Sequence, residues 1–210
     1  MKYKAFINCP FDEEYRFFER ALTFICIYFE TEPCFTKDID NNNIHRLDKL
    51  VAIIRESEFS IHDLSRCKCK CQDSTGPEFY RMNMPFELGL DYAYNTYSGN
   101  SKNILLLENQ QRDLQAALSD SLGLDPKPYD GDVSKFFKQI RDWFFSAKQF
   151  ENRKILDSIT LNEKFAVFNK SLIGQIMQEN RKAGQEIFNE MGIIEYKRKV
   201  VEYWKSEKPI

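Results

Sequence analysis

Between Tyr3 and Asn8 an apolar run stops at Cys9-Pro10, and a segment ended by a residue that cannot donate to a ladder reads as a buried strand. The rhythm then changes: Phe17, Phe18, Ala21, Leu22, Phe24, Ile25, Tyr28 and Phe29 recur at helical spacing. Asp12, Glu13 and Glu14 open that helix, where negative charge suits its dipole. Pro33 to Thr36 predicts a brief second strand. Leu47, Leu50, Val51 and Ile54 form one stripe of a helix over Asn43 to Glu56, turned toward the sheet. Phe59 to Leu64 predicts a third strand. A helix from Asn83 to about Tyr97 follows, with Asn83 as its cap and Pro85 tolerated in its first turn. Ile104 to Leu107 is nearly all aliphatic, as a strand covered on both faces would be.

Ser65 to Arg81, with Gly76-Pro77, and Leu118 to Asp132, with Gly123, Pro126, Pro128 and Gly131, predict loops. Val133 to Lys148 returns to helix, burying Phe136, Phe137, Ile140, Trp143 and Phe144. Strands alternating with helices imply an α/β fold over residues 1–150, a doubly wound, mostly parallel sheet. Residues 151–210 carry no strand pattern. Their amphipathic stretches, Phe165 to Ile176 and Ile193 to Trp204, predict a C-terminal helical appendage. Phe165, Phe168, Phe188, Tyr196 and Trp204 there offer a surface for assembly into a homo-oligomer.

Composition narrows the class. The 210 residues are 42% hydrophobic, enough for a core, and a net charge of −2 gives no global field toward nucleic acid or anionic lipid. The basic Tyr196-Lys-Arg-Lys199 cluster reads as a solvated helix face. No apolar run approaches the roughly 20 residues of a membrane span, and Pro10 interrupts any secretory core, so the expected compartment is the cytoplasm. The 6 cysteines are then expected as free thiols. The Cys67-Lys-Cys69-Lys-Cys71 spacing is not that of a structural zinc site, and no metal is expected. Neither a phosphate-loop lysine signature nor Gly-x-Gly-x-x-Gly follows the first strand, so no redox cofactor is expected, and NAD, if bound, is a substrate.

In an open α/β sheet, ligands lie beyond the carboxyl ends of the strands. That rule selects Asn8 to Asp12, Asp63 to Arg66, Glu108 and the first turn of the Asn83 helix, which would bring Glu87 near Asp63. Two carboxylates facing a crevice suit glycosyl transfer, in which departure of a base leaves positive charge on the anomeric carbon. Glu87 is the candidate to stabilise or capture that carbon, kept ionised by the helix N-terminus. Asp63 could orient the sugar hydroxyls or hand a proton to the base. The blander alternatives are a turn-capping Asp63 and a Glu87 that only partners the dipole. Strand neighbours point to opposite faces, so His62 is expected beneath a helix and His45 on the surface.

The segment Phe86-Glu87-Leu88-Gly89-Leu90-Asp91-Tyr92-Ala93 resembles the Phe-Glu-Leu/Ile-Gly-x-x-x-Ala signature of nucleoside 2-deoxyribosyltransferases. Together with Phe6-Ile7-Asn8-Cys9-Pro10-Phe11 and Ile61-His62-Asp63-Leu64-Ser65-Arg66, it looks like a bacterial branch of deoxyribosyltransferase-like proteins, over residues 1 to about 110. The resemblance implies a flavodoxin-like fold related to Toll/interleukin-1 receptor (TIR) domains, with Glu87 as nucleophile. The transferase pattern has an Asp six residues before the motif Glu, where this chain has Arg81. A cationic nicotinamide leaves as a neutral molecule without a second acid, so the departure suits NAD or a nucleotide.

The expected substrate-binding residues are therefore Asn83 with Asp63 at the ribose, and Asn8, Cys9, Pro10 and Phe11 lining the pocket. Ser65 is expected beside them, and Arg46, Arg66 or Arg81 at phosphate. The resemblance further implies an antiphage abortive-infection effector, with a partner protein of a defence operon. The alternative is a non-catalytic TIR-like module that senses a nucleotide or binds a protein.

Overall fold

The structure, a computed structural model, describes residues 1–38, 45–67, 82–99, 101–111, 125–151, 153–180 and 184–207. Five parallel strands form one sheet: β1 (Tyr3–Asn8), β2 (Thr31–Phe35), β3 (Phe59–Asp63), β4 (Asn103–Glu108) and β5 (Lys127–Pro128), in the order β2-β1-β3-β4-β5. The chain moves outward from β1 to β2 and then crosses back to β3. The gap between the carboxyl ends of β1 and β3 is therefore the topological switch point of a doubly wound fold. Asn8 stands opposite His62 across that gap, and Asp63 opposite Leu107 on β4.

Residue parity divides the two faces of the sheet. Ala5, Ile7, Phe59, Ile61, Leu105 and Leu107 join the large core beneath α1 (Arg16–Tyr28) and α4 (Val133–Ser146), where the Phe29 and Phe144 rings stack at 4.5 Å. Phe6 packs on the other face with Leu50, Ile53 and Ile54 of α2 (Arg46–Glu56), and Leu106 with Met84 and Leu88 of α3 (Asn83–Ser98). Within α2 the buried stripe runs through Leu50, Ile53 and Ile54, whereas Leu47 and Val51, expected inward, are exposed. Gly99 ends α3 in the left-handed region at φ +68°, where glycine carries no Cβ penalty.

The C-terminal helices α5 (Ser158–Asn180), α6 (Gly184–Glu190) and α7 (Ile193–Glu207) lie outside α1 and α4. Phe165, Phe168, Phe188, Tyr196 and Trp204, expected as an assembly surface, are buried within the chain in the same core as α1. The reason is aromatic pairing: the Phe24 ring of α1 lies 5.4 Å from Phe165, 5.6 Å from Phe168 and 4.9 Å from Trp204. Arg20 of α1 completes the seam, stacking 4.0 Å from the Phe188 ring and donating to the Phe188 and Met191 carbonyls. Among the described residues no helix is long and apolar enough to cross a membrane.

Candidate functional site

A cavity of about 640 Å³ opens at the switch point, lined by the loop Asn8 to Asp12, by Arg46, and by Met82, Asn83, Met84 and Glu87. That size falls in the range of small-molecule sites. Its floor follows from three sequence features: β1 ends at Asn8 ahead of Cys9-Pro10, α2 begins at Arg46, and α3 begins just before the Phe-Glu-Leu-Gly segment. Among the described residues, neither His45 nor Met82, at the N-cap positions of α2 and α3, caps its helix with its side chain. Met82 rather than Asn83 occupies the N-cap position of α3, which leaves Asn83 inside the helix at the cavity edge. The first residues of two helices thus border the opening.

Two carboxylates line this cavity, Asp12, which is paired with Arg66, and Glu87, the more buried of the two. The Glu87 side chain is 9% exposed, and its Oε1 lies 3.9 Å from Nη2 of Arg46, which is itself 68% exposed. Burial pushes the Glu87 carboxyl above the usual range and Arg46 draws it partly back, the reverse of the expected dominance by the helix dipole. The difference is positional: Glu87 is the fifth residue of α3, one turn inside the terminus, and faces the sheet side. Phe11 stands half-exposed at the rim, its ring edge-on to Phe35 at 6.5 Å and its face 4.9 Å from the Lys37 ammonium.

Asp63 is placed elsewhere. It belongs to the odd-numbered set that faces α1, is fully buried, and does not line the cavity. Tyr15 donates its hydroxyl to Asp63 Oδ2 at 2.5 Å, and the Ser65 amide donates to Oδ1 at 2.9 Å. The Tyr129 phenol meets the same carboxylate. Burial raises the Asp63 carboxyl, against the bonds from Ser65 and Tyr15. Burial and that carboxylate together hold both tyrosines protonated. Asp63 therefore ties the turn before α1 to the end of β3. Asp63→Ala should destabilise the fold by about 2–4 kcal/mol, because buried donors lose their acceptor. Urea unfolding measures that loss, and a change below about 0.5 kcal/mol would contradict the tie.

The other expected residues divide in the same way. Asn8, Cys9, Pro10, Phe11, Arg46 and Asn83 line the cavity with Glu87. Ser65 serves Asp63, and Arg66, which does not line the cavity, is engaged by Glu14 at 2.7 Å and by the lining residue Asp12 at 2.9 Å. Arg81, Cys69 and Cys71 lie outside the described residues. Cys9 is buried, and burial raises its thiol well above the ordinary range, so it contributes a neutral wall.

Sequence reasoning missed a buried chain beneath the cavity. His62 Nε2 lies 2.9 Å from Asp91 Oδ2, and Lys102 Nζ bonds Asp91 Oδ1 at 2.7 Å and the Ile54 carbonyl at 3.0 Å. Asn8 links this chain to the cavity, through Nδ2 at 2.9 Å from His62 Nδ1. Its signal was spacing: Met84, Glu87, Leu88 and Asp91 recur at three and four residues on the buried stripe of α3, so Asp91 follows Glu87 down one face. Burial depresses His62 despite Asp91, and depresses Lys102 against the same carboxylate. For Asp91 burial acts upward, but the bonds from His62 and Lys102 outweigh it and hold the group below the usual range.

No protein-family model matches the chain, and no curated protein matches it.

Proposed function

We propose that the protein is an N-glycosidase that cleaves the base–ribose bond of NAD or a related nucleotide, with Glu87 as the carboxylate that meets the anomeric carbon. The observation that carries this reading is a nearly buried carboxylate opening into a ligand-sized cavity at the switch point of the sheet. When the glycosidic bond breaks, its electron pair leaves with the base and positive charge develops on the sugar. A poorly solvated carboxylate stabilises that charge more strongly than one in bulk water. Nicotinamide takes the pair and departs neutral, so no acid is required, which suits a cavity from which Asp63 is absent. Water then adds to the sugar carbon and its proton passes to Glu87 or to solvent.

Supporting features surround the carboxylate. Arg46 and the N-terminal turns of α2 and α3 provide positive potential for phosphate, and the half-exposed Phe11 ring offers a face for a base. A role in antiphage defence, with a partner from the same operon, rests on the family resemblance alone, whereas assembly into an oligomer was expected from aromatic residues that are buried within the chain. The second reading, a nucleotide-sensing TIR-like module without chemistry, uses the same cavity and Arg46.

Chromatography of NAD, nucleosides and nucleoside monophosphates after incubation with the purified protein separates the two. Free base supports the glycosidase, saturable binding without base supports the sensor, and neither would remove both. The pH profile supplies a sharper check. Turnover requires ionised Glu87, so the rate falls as pH drops through a pKa that burial has raised. Arg46→Ala removes the charge that draws this pKa down, so the acid limb of the rate profile should move to higher pH. An unmoved limb would dissociate Arg46 from the reacting carboxylate.

A further inference from the structure

Asn8 is the only bridge between the cavity and the buried chain among the groups named above, and its amide orientation can be deduced. The Met84 carbonyl can only accept, so the Asn8 atom 2.8 Å from it is the amide nitrogen. The same nitrogen lies 2.9 Å from His62 Nδ1 and gives its second hydrogen there, which requires a lone pair on Nδ1. The imidazole proton then sits on Nε2 and is donated to Asp91. Asp91 is balanced by Lys102, so the pair carries no excess negative charge that would call for a second proton on His62.

The other groups around the ring agree. Phe6 lies edge-on at 5.5 Å and brings no charge; Asp91 on α3 and Lys102 before β4 are the charged neighbours. A proton on Nδ1 would set N–H against N–H. The Asn8 amide would then have to turn and lose Met84, whose carbonyl belongs to the first turn of the helix that carries Glu87.

We infer that His62, Asp91 and Lys102 are positioning residues that present Asn8 to the cavity as a hydrogen-bond acceptor only, so that the site selects a ligand donating a hydroxyl there, a ribose hydroxyl. Both Asn8 amide hydrogens are taken up inside the protein, which leaves Oδ1 as its remaining polar atom. The proposal rests on the nucleotide reading for its ligand, but not for the state of the imidazole. The two halves can therefore fail separately.

The first arm of the test is nitrogen-15 NMR of the full chain. His62 is expected as the neutral Nε2–H tautomer at pH 7, and a Nδ1–H tautomer or an imidazolium there would overturn the positioning chain whatever the protein binds. In Asn8→Asp, where the side chain has acceptors only, the His62 signals should move to a Nδ1-protonated form; an unchanged tautomer would overturn the coupling. The second arm is calorimetry with adenosine monophosphate and its 2′-deoxy and 3′-deoxy analogues. The wild type is expected to bind one of the analogues about tenfold more weakly, the scale of one lost hydrogen bond, and Asn8→Ala to bring the ratio within about twofold. A ratio that survives Asn8→Ala, or no discrimination in the wild type, overturns Asn8 as the selecting residue. Failure of all three nucleotides to bind overturns the ribose assignment, while base release from NAD decides the nucleotide reading separately and the NMR arm stands on its own result.

Discussion

Glu87→Gln is expected to lower base release by on the order of 10³-fold or more while the protein remains folded, because the amide keeps the shape of the side chain but cannot stabilise or capture a cationic sugar carbon. Stability should move in the opposite direction. A carboxyl whose pKa is raised in the fold binds its proton more tightly there than in the unfolded chain. Its contribution is therefore most favourable below the ordinary glutamate pKa and is lost as pH rises through the folded value. Glutamine has no such loss, so at pH 8 the variant should melt at the same temperature as the wild type or higher. Full activity in Glu87→Gln would remove this residue from the mechanism. A variant both inactive and unfolded would instead mark Glu87 as structural.

Trp204→Ala carries the largest expected loss of stability. Trp204 is 5% exposed, lies 4.9 Å from the rings of both Phe24 and Tyr28, and donates its indole hydrogen to the Phe24 carbonyl at 3.3 Å. Truncation should cost about 3–5 kcal/mol, a drop in melting temperature on the order of 10 °C for a chain of this size. The shared core also predicts one cooperative transition for sheet and C-terminal helices together. Calorimetry of wild type and variant checks both points. A variant in which the C-terminal helices melt alone, ahead of an unchanged α/β transition, would show two cores instead of one.

Where a local pattern decided the structure, the sequence was readable. The first strand was bounded by Pro10 and matches Tyr3–Asn8, and the strand expected at Ile104 to Leu107 is extended by one residue at each end. β5 has the sequence pattern of a loop because it is two residues long and contains Pro128, a residue that a sheet accepts at its edge. The site was half legible. Glu87 could be placed because its helix begins at the carboxyl edge of the sheet, a matter of topology. Asp63 was misdirected because both strand faces are covered in a doubly wound fold. Parity sends it under α1 to Tyr15, while His62 goes under α3 toward Asn8. Which face belongs to which helix depends on the order of the strands, and no single segment encodes that. The aromatic C-terminal stretches were similarly ambiguous, since an amphipathic stripe has the same spacing whether its cover is a neighbouring helix or a second copy.

The seam between Phe24 and Trp204 joins residues 180 positions apart. During synthesis α1 leaves the ribosome well before α7, with one aromatic side still bare until that helix is made. A nascent chain halted before α7 would hold that sticky strip uncovered and be exposed to aggregation. Contacts at such separation also slow the final docking. Yield from an expressing cell should accordingly depend on growth temperature and chaperone supply more steeply than the stability of the finished protein would suggest.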